Sequence, residues 1–429
     1  MKNSIYLINF IICILFLIVS ITGKSLKNKS KILPSTVFSA MWALTSLGVL
    51  CFSNGWLFDD VYARYYQTAE HLENIGFYQL KITITIFIAF LIVRIKYKSR
   101  SFCRLEGFRN SNEIDYALSK FRWILQLYFV VGLFRLLLVL SIVGFNYSAI
   151  RGLYITGRES FSSADIWLVR IGSYLLQASV FYVSMLGIKS AIKGIRIKEV
   201  LLNFALFSPF QASFGGRLFI ISFFVPYIFS YLSVSLLSSN GKIRSADKHK
   251  LSLLIFGSVA LIIVLAILKQ GLDVSSDTIS EYSSSIFYTA ASYHYMNEVW
   301  DNLPSIYSLG LGGNIIGFNT SITDKIKDYW VISNNNAIIA TPSMIPDVYL
   351  DFGEIGSYFF YFMLFYYLEK KAFQSMQSFS IKNVLLFVLL CTFCFNTSTT
   401  SMNGCLKSFL IGYTLILILN RTILKKHIQ

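Results

Sequence analysis

The sequence predicts an all-α integral membrane protein, a polytopic bundle of about eleven transmembrane helices. Apolar residues make up 55% of the 429 positions and charged residues only 14%, which is too little polar surface for a soluble globule of this size. Apolar runs long enough to cross a hydrocarbon core recur along the whole chain. These runs are continuous and do not alternate, so of the two structures that can span a bilayer, helices and closed barrels, they favour helices.

The apolar runs set the order of the predicted spans along the chain. They cover residues 4–22, 36–56, 77–95, 122–145, 168–188, 199–213, 217–238, 250–268, 347–368, 382–396 and 405–420. The first run has no small-residue cleavage site before Lys24, so it is predicted to be a retained helix and not a signal peptide. Residues 269–347 contain no long apolar run and predict one large outer loop within a single transmembrane domain spanning 1–429.

Basic residues cluster in every second loop of this pattern. The clusters follow the first, third, fifth, seventh, ninth and eleventh spans, at 24–31, 94–109, 189–198, 242–250, 370–371 and 421–426. By the positive-inside rule these loops are cytoplasmic, which places the C-terminus inside and the short N-terminus outside. The net charge of +16 is therefore interpreted as a topology signal and not as a nucleic-acid-binding surface.

The outward or buried cations between the fourth and seventh spans are all arginines. Because guanidinium grips phosphate oxygens through two bonds, this choice over lysine predicts a diphosphate ligand near the outer membrane face. For Arg151, Arg158 and Arg170 the alternative is a position at the lipid headgroups. Arg135 lies near the middle of a span, where a charge is costly, so it is predicted to face the interior as the partner of an acid or as part of the site.

Two short elements stand out at the predicted outer face. In Gly215-Gly216-Arg217, the glycines allow close backbone approach and the arginine opens a helix. Asp351 and Glu354 open the ninth predicted span, where a carboxylate also favours the helix dipole, so a capping role is the alternative to a catalytic one.

The predicted outer loop is net acidic and rich in Tyr, Ser, Asn and Gly, a composition suited to binding sugar hydroxyls and rings. Its alternative interpretation is a solvated connector. His294, Glu298 and Asp351 are the candidates for a general base, and the sequence does not rank them. No metal-ligand pattern, nucleotide-binding loop or nucleophile elbow occurs, so neither a metal nor a cofactor is expected.

The helix number, the late outer loop, Gly215-Gly216-Arg217 and the Tyr-Leu-Asp-Phe-Gly-x-x-Gly element at 349–356 together resemble the Wzy-type O-antigen and capsule repeat-unit polymerases. The resemblance covers the architecture of most of the chain, and its specific part is confined to the two short elements. It implies a bacterial inner-membrane glycosyltransferase that makes lipopolysaccharide or capsule glycan. Such an enzyme transfers the growing glycan from undecaprenyl pyrophosphate to the non-reducing end of another lipid-linked repeat unit.

Under this resemblance, Arg217 with Arg151, Arg158 and Arg170 would hold the pyrophosphate, and the reaction would be inverting and metal-independent. Lipid-linked oligosaccharide as donor and acceptor, membrane lipids and a chain-length regulator are the expected partners, and nucleic acid is not. Three alternatives remain at this point: a flippase for lipid-linked sugars, an O-antigen ligase and a membrane acyltransferase.

Overall fold

The described part of the chain is helical apart from a few turn and coil residues. A computed structural model describes residues 4–22, 33–54, 72–97, 111–145, 150, 163–214, 218–238, 245–270, 315, 344–377, 380–398 and 402–428. Within these ranges it contains no strand and eleven helices of more than one turn. They are α1 Ser4–Thr22, α2 Pro34–Ser53, α3 Leu72–Lys96, α4 Ser111–Val143, α5 Ser163–Lys193, α6 Ile197–Ala212, α7 Leu218–Ser238, α8 Ser245–Gln270, α9 Ile345–Ser375, α10 Ile381–Asn396 and α11 Met402–Ile428.

Each predicted apolar run overlaps one of these helices, so the all-helical class is confirmed. By length and composition, seven of the described helices can cross a membrane: α1, α2, α3, α4, α5, α8 and α11. Helices α7 and α10 carry shorter apolar stretches, Phe219–Ser235 and Ile381–Asn396. The chain is thus a membrane protein, while a total of about eleven crossings stays a prediction. Most of the predicted outer loop at 269–347 lies outside the described residues.

The chain divides into two compact units. The first unit contains residues 1–101, 275–374 and 390–409, and therefore α1, α2, α3 and nearly all of α9. The second unit contains residues 102–274, 375–389 and 410–429, and therefore α4 to α8. Helices α10 and α11 contribute one part to each unit.

In the second unit, α6 packs closely against α4 and α5 around one aromatic ring. A Cβ atom built on Gly172 would lie 1.9 Å from the Phe210 ring. A Cβ on Gly132 would lie 2.5 Å from the Phe210 backbone nitrogen. Because real Cβ contacts are not that short, only glycine at both positions permits this approach. The two glycines therefore fix where the last turn of α6 lies.

In the first unit, aromatic rings fill the space between α1, α2, α3 and α9. Phe16 stacks on Phe87 with ring centroids 4.1 Å apart, and Phe38 meets the Phe365 ring edge-on at 5.0 Å. A buried polar contact joins three of the helices, since Asn9 and Gln79 both donate to the Ser46 hydroxyl, at 2.8 and 3.3 Å. This polar contact selects one rotation of the helices, which apolar packing alone does not.

Helix α9 is broken at one residue near its start. Gly353 has φ 65° and ψ −170°, a backbone conformation that is almost restricted to glycine. The break separates Asp351 from Glu354, so these residues do not share one opening turn as the sequence predicts. Asp351 lies in the segment before the break, about two turns from the helix start, and Glu354 directly follows the break.

Candidate functional site

The second unit contains a buried ion pair between α4 and the first turn of α5. Arg135 is 1% exposed, and its Nε donates to Asp165 Oδ1 at 3.0 Å. The Asp165 side chain is 4% exposed. A buried charge is tolerated when it is paired and hydrogen-bonded, and this pair meets both conditions.

The same arginine also holds the end of α6. Its Nη1 donates to the hydroxyl of Ser213, which in turn donates to the Phe210 carbonyl. Its guanidinium carbon lies 3.8 Å from the centre of the Phe214 ring, within cation–π distance. We refer to Arg135, Asp165, Ser213 and Phe214 as the Arg135 cluster. The cluster joins the end of α4, the start of α5 and the end of α6, which antiparallel neighbours bring to the same side.

The Arg135 cluster directly precedes the Gly215-Gly216-Arg217 element in the chain. Arg217 lies outside the described residues, and the peptide chain joins it to Leu218, the first residue of α7. Because the charge of Arg135 is already neutralised by Asp165, its geometry suits a positioning role better than binding of a further anion. What the cluster fixes is the point from which the glycine-arginine element departs.

Arg170 is not part of this cluster. It is exposed on α5, and its guanidinium carbon lies 5.6 Å from the centre of the Trp167 ring. At about 100° per residue, Arg170 is about 140° around the helix from Asp165, so the two residues lie on different faces of α5. An exposed tryptophan beside an arginine is typical of a membrane interface, which favours the alternative of a headgroup-level cation for Arg170.

The first unit contains Asp351, which is fully buried. Its Oδ2 accepts a hydrogen bond of 2.8 Å from the backbone N–H of Ile315. Ile315 belongs to the predicted outer loop and is itself 5% exposed. The carboxylate thus anchors a loop residue to α9, a role that sequence reasoning did not weigh. Whether Asp351 also acts as a base stays a prediction.

Asp347, one turn before Asp351, caps a different helix. Its Oδ2 accepts from the backbone N–H of Asn403 at 3.3 Å, in the first turn of α11. Close by in the chain, Met344 N–H donates to the Thr397 carbonyl at 3.1 Å. Tyr361 donates to the Met344 carbonyl at 3.2 Å. These bonds tie the start of α9 to the turn between α10 and α11.

Glu354 belongs to an exposed polar group beside Asp351 in sequence. It accepts from Lys81 Nζ at 2.8 Å and from the Tyr358 hydroxyl at 2.6 Å. Both charged side chains are about half exposed, at 57% and 46%. Lys81 therefore places a cation in the predicted outer half of α3, where the sequence analysis did not identify one.

The described residues include five buried carboxylates, and each has a hydrogen-bonded partner. Each of the five accepts from a backbone N–H or pairs with arginine: Asp165, Asp247, Asp347, Asp351 and Glu369. Glu369 does both, since its Oε2 accepts from Ser35 N–H at 3.2 Å in the first turn of α2 and its Oε1 accepts from Arg94 at 3.3 Å. Carboxylates near helix N-termini are stabilised by the unpaired N–H groups and the helix dipole. In this fold, buried acids mainly join one helix to the start of another.

The other predicted site residues, Arg151, Arg158, His294 and Glu298, lie outside the described residues, as does Arg217. Of the functional candidates that the structure adds, Asp165 and Lys81 had a visible signal, because each places a charge in or beside an apolar run. Among the described residues, no three His, Cys, Asp or Glu side chains come together in a way that could hold a metal ion.

In comparisons with known proteins, no family model, no curated protein and no solved structure matches the chain.

Proposed function

We propose that this protein is a repeat-unit polymerase of the bacterial inner membrane. It transfers a growing glycan from undecaprenyl pyrophosphate to the non-reducing end of another lipid-linked repeat unit, at the outer face of the membrane. It does so by inverting displacement without a metal. The donor and acceptor are both lipid-linked oligosaccharides, and a chain-length regulator is a further partner.

The observation that supports this proposal most is the Arg135 cluster at the end of α6. A membrane protein that places a fully buried ion pair at a helix end needs a reason to fix that end, because a well-packed apolar contact would stabilise the bundle as well. The segment that follows in the chain is Gly215-Gly216-Arg217, which brings a second arginine next to the cluster in sequence. A site for a leaving diphosphate needs such a cation held in advance of the reaction.

In the proposed reaction the bond between the anomeric carbon and the pyrophosphate oxygen breaks, and its electron pair leaves with undecaprenyl pyrophosphate. Arg217, with Arg151 and Arg158, stabilises the charge that develops on this leaving group. The acceptor hydroxyl oxygen forms the new bond to the anomeric carbon from the opposite side. Its proton passes to a base on the protein.

The buried position of Asp351 favours an anchoring role over proton abstraction. Its Oδ2 already accepts the Ile315 N–H, and the residue has no exposed surface. A base must reach the proton that it removes. His294 and Glu298, in the predicted outer loop, are therefore the bases that the proposal prefers.

The test is a gel of surface glycan from a strain that lacks this protein, complemented with variants at matched expression. The proposal predicts loss of the ladder with one repeat unit retained on the lipid core, restoration by the wild-type protein, and no ladder with Arg217→Lys. Arg421→Lys, an exposed arginine near the end of α11, is the matched control and should restore a full ladder.

The other outcomes of the same gel identify the alternatives. Loss of all attached repeats with accumulation of finished lipid-linked polymer would indicate a ligase. Absence of repeat units from the outer face would indicate a flippase. A full ladder from Arg217→Lys would contradict the role of the guanidinium even if the protein is a polymerase.

A further inference from the structure

A cavity of about 650 Å³, widely open to the surroundings, lies in the second unit where α5 ends, α6 begins and α8 begins. Four basic side chains line it: Lys189, Arg196, Lys198 and Lys250. Among the described residues of the lining, Glu199 is the one acidic residue. The cavity is at the opposite end of α6 from the Arg135 cluster and belongs to no part of the proposed reaction.

The ion pairs around this cavity do not neutralise it. Glu199 forms an ion pair with Lys189 at 2.5 Å, so the negative charge of Glu199 already has a partner. Lys250 donates to the Ile195 carbonyl at 3.0 Å, an uncharged acceptor. Within the described residues, Arg196 and Lys198 have no acidic partner, and both are exposed. The cavity therefore keeps a positive charge and free donors.

The backbone adds donors at the same place. Arg196 occupies the N-cap position of α6, and no side chain caps the helix there. The first N–H groups of a helix have no partner within the helix, and they favour an anion. These groups belong to Ile197, Lys198 and Glu199, which also line the cavity. Basic side chains and the first N–H groups of α6 thus belong to residues that line the same cavity.

Exposed apolar side chains continue from the basic ones along both helices. On α6, Leu201 and Leu202 are 50% and 57% exposed, one turn beyond Lys198. On α8, Leu253 is 49% exposed, one turn beyond Lys250. A turn advances about 5.4 Å, so an apolar surface follows each cation about one turn further along its helix. A phospholipid has the same order, a charged phosphate followed by acyl chains.

From this arrangement we propose that the cavity binds the phosphate group of an anionic phospholipid in the cytoplasmic leaflet, with the acyl chains along Leu201, Leu202 and Leu253. The basic loops at 189–198 and 242–250 are predicted to be cytoplasmic, the side on which basic pockets between helices bind anionic headgroups. The inference rests on the cavity and does not require the polymerase activity.

The experiment measures phosphatidylglycerol bound to the purified full-length protein in detergent, by native mass spectrometry over a range of lipid concentrations. The variant Arg196→Gln/Lys198→Gln removes the two cations that have no acidic partner. Since each basic residue near a membrane surface contributes about fivefold to the attraction, we expect binding to weaken by roughly 30-fold. The control Lys120→Gln/Arg122→Gln removes the same charge from exposed positions on α4 and should bind as the wild type does.

Equal binding by the wild type and the first variant, or an equal loss in the control, would overturn the proposal. A second arm adds glycerol 3-phosphate, which has the headgroup chemistry without acyl chains. Displacement of the lipid at a concentration equal to that of the lipid would mean that the cavity binds a soluble phosphate, which also overturns it.

A measurement on the wild type covers the case in which the variant does not fold. Hydrogen exchange is compared in nanodiscs of phosphatidylglycerol and of phosphatidylcholine. The amides of residues 195–202 should exchange more slowly in phosphatidylglycerol, whereas those of 218–225 in α7 should not change. Identical exchange at 195–202 in the two lipids would contradict the site.

Discussion

Replacing Asp165 with asparagine tests whether the Arg135 ion pair holds the end of α6. The substitution keeps the size of the side chain and one acceptor oxygen, but it removes the negative charge that faces the buried guanidinium. Arg135 would then remain 1% exposed but lose the carboxylate that its Nε faces. Breaking a buried pair by removing one partner costs more than removing both, because the remaining buried charge loses the attraction that offset its desolvation.

The size of the effect follows from the geometry of the pair. At the 3.0 Å separation of Nε and Oδ1, the attraction is about 5.5 kcal/mol with an effective dielectric constant of about 20. Asparagine retains a hydrogen bond, and Ser213 and Phe214 still contact the arginine. We therefore expect Asp165→Asn to lower the free energy of unfolding by about 3–5 kcal/mol.

The assay is unfolding of the purified protein by SDS in mixed micelles, with a double-mutant cycle. Asp115→Asn is the matched control, since the Asp115 side chain is 40% exposed and pairs with lysines at the surface, and it should cost no more than about 1 kcal/mol. Adding Arg135→Gln to Asp165→Asn should recover about 2–3 kcal/mol relative to the sum of the two single variants. Additive single effects, or a loss no larger than in the control, would refute the reasoning.

Substitutions at three further positions test other parts of the fold. Gly132→Ala should lower the free energy of unfolding by about 1–3 kcal/mol because its Cβ meets the α6 backbone, whereas Gly257→Ala, which has open space, should be neutral or slightly stabilising in the same SDS titration. Glu369→Gln removes the carboxylate that pairs with the half-buried Arg94 and should lower the free energy of unfolding by about 3 kcal/mol. The control Glu73→Gln, at an exposed position in the first turn of α3, should change it by no more than about 0.5 kcal/mol. Asp351→Asn keeps an acceptor for the Ile315 N–H and should preserve the glycan ladder. Asp351→Ala removes this acceptor and should lower the free energy of unfolding by about 1–3 kcal/mol. Loss of the ladder in a stable Asp351→Asn protein would instead identify Asp351 as the base.

The helices were predictable because a bilayer removes the alternatives to them. Long apolar runs in lipid must satisfy their backbone internally, so hydropathy alone identifies the segments. The runs at 199–213 and 217–238 illustrate this, since they match α6 at Ile197–Ala212 and α7 at Leu218–Ser238.

The hydropathy pattern was less informative about helix ends, where three of the buried carboxylates lie. The fifth span was predicted to begin at 168, but α5 begins at Ser163 and includes Asp165 in its first turn. In the same way, α8 begins before its predicted span and includes Asp247, and α9 extends past its predicted span to include Glu369. Polar turns at helix ends lower the local hydropathy, so Asp165, Asp247 and Glu369 fall outside the apolar runs.

Pairing between distant residues could not be derived from one sequence. Arg135 was predicted to face the interior, either beside an acid or within the site, but the identity of Asp165 comes only from the packing of α4 on α5. Glu369 and Arg94 are 275 positions apart, and nothing local to either indicates the other. The break at Gly353 is similar, because a glycine in a helical pattern is compatible with an unbroken helix until tertiary contacts decide its backbone angles.

The most direct test of the proposed function is elongation by the purified protein in proteoliposomes that contain one lipid-linked repeat unit and no nucleotide sugar. The proposal predicts products of two and more repeats, with one undecaprenyl pyrophosphate released for each new bond. It predicts that Arg217→Lys lowers the rate by roughly 100- to 1,000-fold, the loss typical of removing one transition-state donor, while Arg421→Lys retains it. No elongation by the folded wild-type protein, or equal rates for the two variants, would contradict the proposal.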